Sequence, residues 1–168
     1  MSAPVVVFAV GNPSRGDDAI GPELCGRLEG WLENQYLGDQ VELIEDFQLQ
    51  IEHALDLHGR ELALFIDAGA SNAAPCTFER VAPATGIAHT THAMAPEAVL
   101  QVFRQTTGSE PPPAFVLCVR GEKFALGEPL TATAVRHAAI AFDLVRQLCR
   151  NPTSAAWDEM VRLAEGFR

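Results

Sequence analysis

Apolar and polar positions along this chain follow two rhythms. PVVVFAV (4–10), QVELIED (40–46), ELALFIDAGAS (61–71), CTFERVA (76–82) and AFVLCV (114–119) are short apolar runs rich in β-branched and aromatic residues, which predicts five strands. The first is apolar without alternation, as a strand buried on both faces of a parallel sheet must be. Between the runs the period lengthens. Leu24, Leu28, Trp31 and Leu32 recur at helical spacing after Gly21 and Pro22, with Pro22 expected at the first helical position and Gly38 as a stop. QLQIEHALDLHG (48–59) predicts a second helix closed by Gly59, and Pro96 and Glu97 open a third that GSEPPP (108–113) breaks. Thr131 is the expected N-cap of a fourth helix through AVRHAAIAFDLVRQLC (134–149).

The order βαβαβ is that of a doubly wound sheet, with strands one and three as neighbours. Fewer than about ten residues separate Asp67 from the fourth strand, too few for a parallel crossover of a dozen or more, so that strand is expected to run antiparallel. The expected fold is a single-domain three-layer α/β/α structure with a five-stranded, mostly parallel sheet and one antiparallel strand. Residues 1–150 form the domain in this reading, and 151–168 are a tail with a short amphipathic helix.

Composition narrows the function. The chain has 168 residues, and 12 Lys plus Arg stand against 22 Asp plus Glu, a formal charge of −10 that repels nucleic acid and anionic lipid. No apolar run reaches the roughly 20 residues of a membrane span, and MSAPVVVFAV lacks a basic leader segment, which places the expected protein in the cytoplasm; a monomer is expected, although the sequence does not give the oligomeric state. Cys25, Cys76, Cys118 and Cys149 are scattered without a C-x-x-C pair, so reduced, mostly buried thiols are expected rather than a zinc or redox site.

Ligands of open α/β sheets bind beyond the carboxyl ends of the strands. Two acidic signals fall there: Asp17 and Asp18 in the glycine-punctuated loop after strand one, and Asp67 where LFID meets a small-residue loop. AHTTHAM (88–94) offers an imidazole, His89 or His92, from a third loop. Clustered carboxylates need a compensating cation or proton, and a set of oxygen and nitrogen donors suits a borderline divalent ion such as nickel or zinc. Each residue also has an ordinary reading: Asp17 as a turn residue, Asp67 as a strand-end cap, the two histidines as loop residues. His53 and His58 read as helix-surface residues, and His137 as structural.

GNPSRGDDAIGP (11–22), FIDAGAS (65–71) and TTHAM (90–94), in that order, resemble the hydrogenase maturation proteases, the endopeptidases that trim the C-terminus of a [NiFe]-hydrogenase large subunit. The resemblance runs over roughly residues 4–149 and includes RGEKFALGEPLTATAV (120–135). It implies a twisted mixed sheet and a hydrolase whose metal-contacting and catalytic residues are Asp18, Asp67 and His92, with Asp17 and His89 as auxiliary neighbours. It further implies that nickel arrives in the large-subunit precursor, already held by cysteine thiolates, and is bound weakly or not at all by the free enzyme. Many members carry a Gly-Thr segment after strand two where this chain reads EDFQLQIEH (45–53), a loop expected to help select the partner. GNPSRGDD with QLQIEH is most similar to the branch serving soluble NAD-reducing hydrogenases. Two other readings stay open on the residues alone: a Mg²⁺-dependent phosphoryl-transfer or receiver-like domain, for which the chain offers only Arg120 or Lys123 near strand five, and a non-catalytic nickel-site chaperone.

Overall fold

The computed structural model describes residues 2–85 and 94–165; His89 and His92 lie outside that set. Five strands, β1 (Val5–Val10), β2 (Val41–Asp46), β3 (Leu62–Gly69), β4 (Cys76–Val81) and β5 (Ala114–Arg120), form one sheet in the order β2-β1-β3-β5-β4. β1 runs parallel to both β2 and β3, and β3 parallel to β5. β4 pairs antiparallel with β5, from Cys76 beside Val119 to Val81 beside Ala114, as its short connection requires.

The apolar run of β1 is buried at all six positions because helices cover both faces. Its alternate residues divide between two cores. Val5 and Val7 join Leu24 and Leu28 of α1 (Ile20–Asn34) and Ala138 and Val145 of α3 (Ala132–Arg150). Val6, Phe8 and Val10 face Leu57 and, from α2 (Pro96–Thr107), Val99 and Phe103. Thr131 caps α3 as expected, its Oγ1 accepting from the Ala134 N–H at 3.1 Å.

The structure departs from the sequence reading at several ends. α1 starts at Ile20, two residues before Pro22, because a 3₁₀ turn over Gly16–Ala19 leads straight into it. Pro22 is tolerated there since the first-turn N–H groups have no intrahelical acceptor. Gly21 is required: a Cβ on it would collide with the Val10 carbonyl, so helix and strand could not approach. α1 stops at Asn34, ahead of Gly38, and Tyr36 takes the left-handed turn at φ 58°. The segment after β2 is a 3₁₀ helix, Ile51–Leu57, rather than an α-helix.

α4 (Ser154–Glu165) closes the structure. Trp157 is 1% exposed, packs edge-on to Phe115 with ring centroids 5.2 Å apart, and donates from Nε1 to the Leu148 carbonyl at 2.9 Å. Residues 154–165 therefore belong to the same core as β4, β5 and α3. No helix among the described residues is long and apolar enough to cross a membrane.

Candidate active site

β1 and β3 lie side by side in parallel, with Ala9 beside Ile66, so the loop after β1 and the end of β3 emerge at the same edge of the sheet. There Asp18 and Asp67 line one cleft of about 440 Å³. Its walls are largely apolar, with Phe47 and Leu49 from the segment after β2, Phe65 from β3 and Met94 just before α2.

Each acid accepts a bond from a backbone N–H. Asp18 Oδ2 accepts from the Asn12 N–H at 2.6 Å, and Asp67 Oδ1 accepts from the Ala68 N–H at 2.8 Å. Burial pushes the Asp67 carboxyl up to about 6; the Ala68 bond opposes this, and the negative charge of Asp18 adds to it. The acid on β3 therefore holds its proton to a higher pH than an ordinary carboxyl, while remaining mostly ionised at neutral pH. A divalent cation between the two carboxylates would remove the repulsion and favour the ionised form of both. Among the described residues, no three His, Cys, Asp or Glu side chains form a metal-binding group.

Asp17 takes no part in the cleft lining and is fully buried. Its Oδ2 accepts from the Glu122 N–H (2.7 Å), the Lys123 N–H (3.1 Å) and the Thr131 hydroxyl (2.8 Å), while Oδ1 accepts from the Thr131 N–H (2.8 Å). Burial alone would raise its carboxyl; these bonds outweigh that, and the group stays below the ordinary carboxylate value. Neighbouring aspartates therefore have different surroundings: Asp18 faces the cleft, and Asp17 joins two loops.

His53 is not a surface residue. It is 6% exposed, with Nδ1 accepting from the Gln50 N–H at 2.8 Å, Nε2 lying 3.4 Å from Asp46 Oδ2, and its ring edge-on to Phe8. The Nδ1 bond puts the ring proton of a neutral imidazole on Nε2, facing Asp46. The sequence hides this because the helix is a 3₁₀ turn that aims position 53 at the sheet. His58 is exposed, and His137 bonds the Arg120 carbonyl through Nδ1 at 2.8 Å, a structural role. All four cysteines are free thiols, with Cys25 and Cys149 buried.

Sequence reasoning missed Cys118, which stands beside Asp67 in the β3–β5 register and lines the cleft. Burial, then the charge of Asp67, push its thiol up to about 11, so it is not a ready nucleophile. It also missed the cleft wall after β2, where the Phe47 N–H is fixed by Asp46 Oδ1 at 2.7 Å. A second hollow of about 490 Å³ lies between α1 and edge strand β2, lined by Glu29, Glu33, Glu42, Glu45 and Cys25. It stands apart from the carboxylate pair, and its one thiol is pushed up to about 11 by burial and the nearby glutamates.

The fold is that of the [NiFe] hydrogenase maturation proteases. The [NiFe] hydrogenase maturation protease HycI from Thermococcus kodakarensis KOD1 superimposes with a TM-score of 0.65 at 21% identity, over 89% of this chain and 94% of that one. The hydrogenase maturating endopeptidase HybD from E. coli gives 0.68 at 23% identity, over 90% and 94%. An endopeptidase from Escherichia coli gives 0.62 at 26% identity, over 86% and 90%. By sequence, no family model and no curated protein matches the chain.

Proposed function

We propose that this protein is a hydrogenase maturation endopeptidase that removes the C-terminal extension from the precursor of a [NiFe]-hydrogenase large subunit after nickel insertion. The observation that carries this reading is the meeting of Asp18 and Asp67 in one cleft at the carboxyl ends of β1 and β3, in a chain with the fold of solved maturation proteases.

In this reading nickel is part of the substrate, held by the precursor's cysteine thiolates. Its contribution is Lewis-acid polarisation beside the peptide bond to be cut. The chain's own residues do the rest. Asp18 and Asp67 bind the incoming metal site, with His92, the position matching the family motif, as third donor. Positive charge entering the cleft favours the ionised form of Asp67, since the cause of its raised value is burial beside another anion. The apolar walls at Phe47, Leu49, Phe65 and Met94 restrict water around the bond, while the acids orient the water that attacks. Because recognition needs the loaded metal site, the free enzyme has no need to hold nickel tightly.

The test is to mix the protein with nickel-loaded and nickel-free precursor and weigh the products. Loss of a C-terminal peptide from the loaded form alone is expected. A bound precursor of unchanged mass would instead favour a chaperone, and phosphoryl uptake from a small phosphodonor a receiver-like domain.

A further inference from the structure

We infer that Asp17 is a positioning residue, and that its latch onto the β5–α3 loop sets where Asp18 stands in the cleft. A carboxylate buried without a cation needs hydrogen-bond donors to remain charged. Asp17 meets that need with four bonds, all to residues 122–131.

The backbone around it is bonded to the same loop. The Asp17 N–H donates to the Lys123 carbonyl at 2.7 Å, the Gly16 N–H to that of Glu128 at 3.0 Å, and the Gly127 N–H to that of Ser14 at 2.7 Å. No side chain fits at the joint. A Cβ on Gly16, which sits at φ +55°, would collide with the Lys123 carbonyl, and one on Gly121 would lie 2.7 Å from the Asp17 Cβ. Thr131 extends the connection into α3: its hydroxyl donates to Asp17 and accepts from Ala134, so the same oxygen caps the helix and holds the acid.

Asp18 follows immediately in the same 3₁₀ turn, and its Oδ2 accepts from the Asn12 N–H. One rigid turn, fixed on one side by Asp17, therefore presents the next carboxylate to the cleft on the other. In this chain the stretch RGEKFALGEPLT (120–131) supplies no group to the cleft lining but anchors one of the two acids that do.

The Asn12 amide reports on Asp18 without any substrate. Its resonance and hydrogen-exchange protection should be followed by NMR in the full-length protein and in Asp17→Asn, Thr131→Ala, Thr131→Ser and Gly16→Ala. In Asp17→Asn, an amide group replaces an oxygen that faces donors, and Asn12 protection is expected to fall at least tenfold while amides in the centre of β1 and β3 keep theirs. Thr131→Ala and Gly16→Ala should do the same to a smaller degree, and carry the test should Asp17→Asn not fold. Thr131→Ser keeps both hydroxyl bonds and should match the wild type.

An unchanged Asn12 amide, beside lost protection at Glu122, Lys123 and Thr131, overturns the inference, because Asp17 would then pin only the distal loop. The kinetic arm rests on the protease reading: because Asp18 binds the incoming metal site, kcat/KM on loaded precursor should fall at least tenfold in Asp17→Asn and stay near the wild type in Thr131→Ser. An unchanged kcat/KM in Asp17→Asn overturns positioning. The amide arm stands or falls without reference to proteolysis, so failure of the two ideas can be told apart.

Discussion

Asp18 and Asp67 repel each other across one cleft, and the charge of the first adds to burial in lifting the carboxyl of the second to about 6. A folded-state value above the ordinary 3.8 means that ionised Asp67 works against folding. The contribution of the neutral acid is fully present below about 3.8 and is lost as pH rises through about 6. Asp67→Asn, which can still accept from Ala68, should therefore melt higher than the wild type above pH 6, by the order of 2 kcal/mol, and equal it near pH 4. A variant destabilised across that whole range would show the acid to be structural.

Removing the partner charge should be visible at Asp67 itself. In Asp18→Asn the Asp67 titration, followed by its carboxyl carbon resonance, is expected to move down, and to stop above 3.8 because burial, the larger cause, remains. Precursor processing should be abolished with the cooperative melt retained. A titration that does not move places the two acids too far apart to share an ion.

The histidines of AHTTHAM separate by kinetics. We expect His92→Ala to abolish cleavage and His89→Ala to slow it by tenfold at most, about 1.4 kcal/mol of transition-state stabilisation. Single-turnover rates on one nickel-loaded precursor decide between them. An inactive His89→Ala beside an active His92→Ala reverses the assignment.

If nickel comes with the substrate, treating the free protease with a chelator and then removing the chelator should leave its activity intact. Loss that only added metal restores would establish a resident ion instead.

Trp157→Ala should cost about 3–5 kcal/mol, since it empties a buried site against Phe115 and leaves the Leu148 carbonyl without its indole donor. The urea midpoint should fall accordingly, with processing unchanged at temperatures well below the melt. A midpoint near the wild type would make α4 an appendage.

The strands and the two cleft acids were legible because they depend on local signals: apolar runs bounded by turn residues, and carboxylates placed where such runs end. The direction of β4 followed from chain length alone. What escaped depends on partners far along the chain. The bonds that make Asp17 a latch reach residues 105, 106 and 114 positions away, and no pattern around GDD announces them. His53 read as a surface residue because Asp46 and Phe8, which surround it, belong to other strands. Trp157 lay in a segment whose period shows a helix but not the neighbour that buries it.

The strand order leaves β2 and β4 as the two borders of the sheet. Both carry exposed charge on their outward positions, Glu42 and Glu45 on one and Glu79 and Arg80 on the other. A border strand is a template on which a foreign strand can add, and charge is what discourages it. On β2 the guard includes the Glu42–Arg60 ion pair and on β4 the Arg80–Asp158 pair, so each border of the sheet presents fixed charge where a foreign strand would have to add.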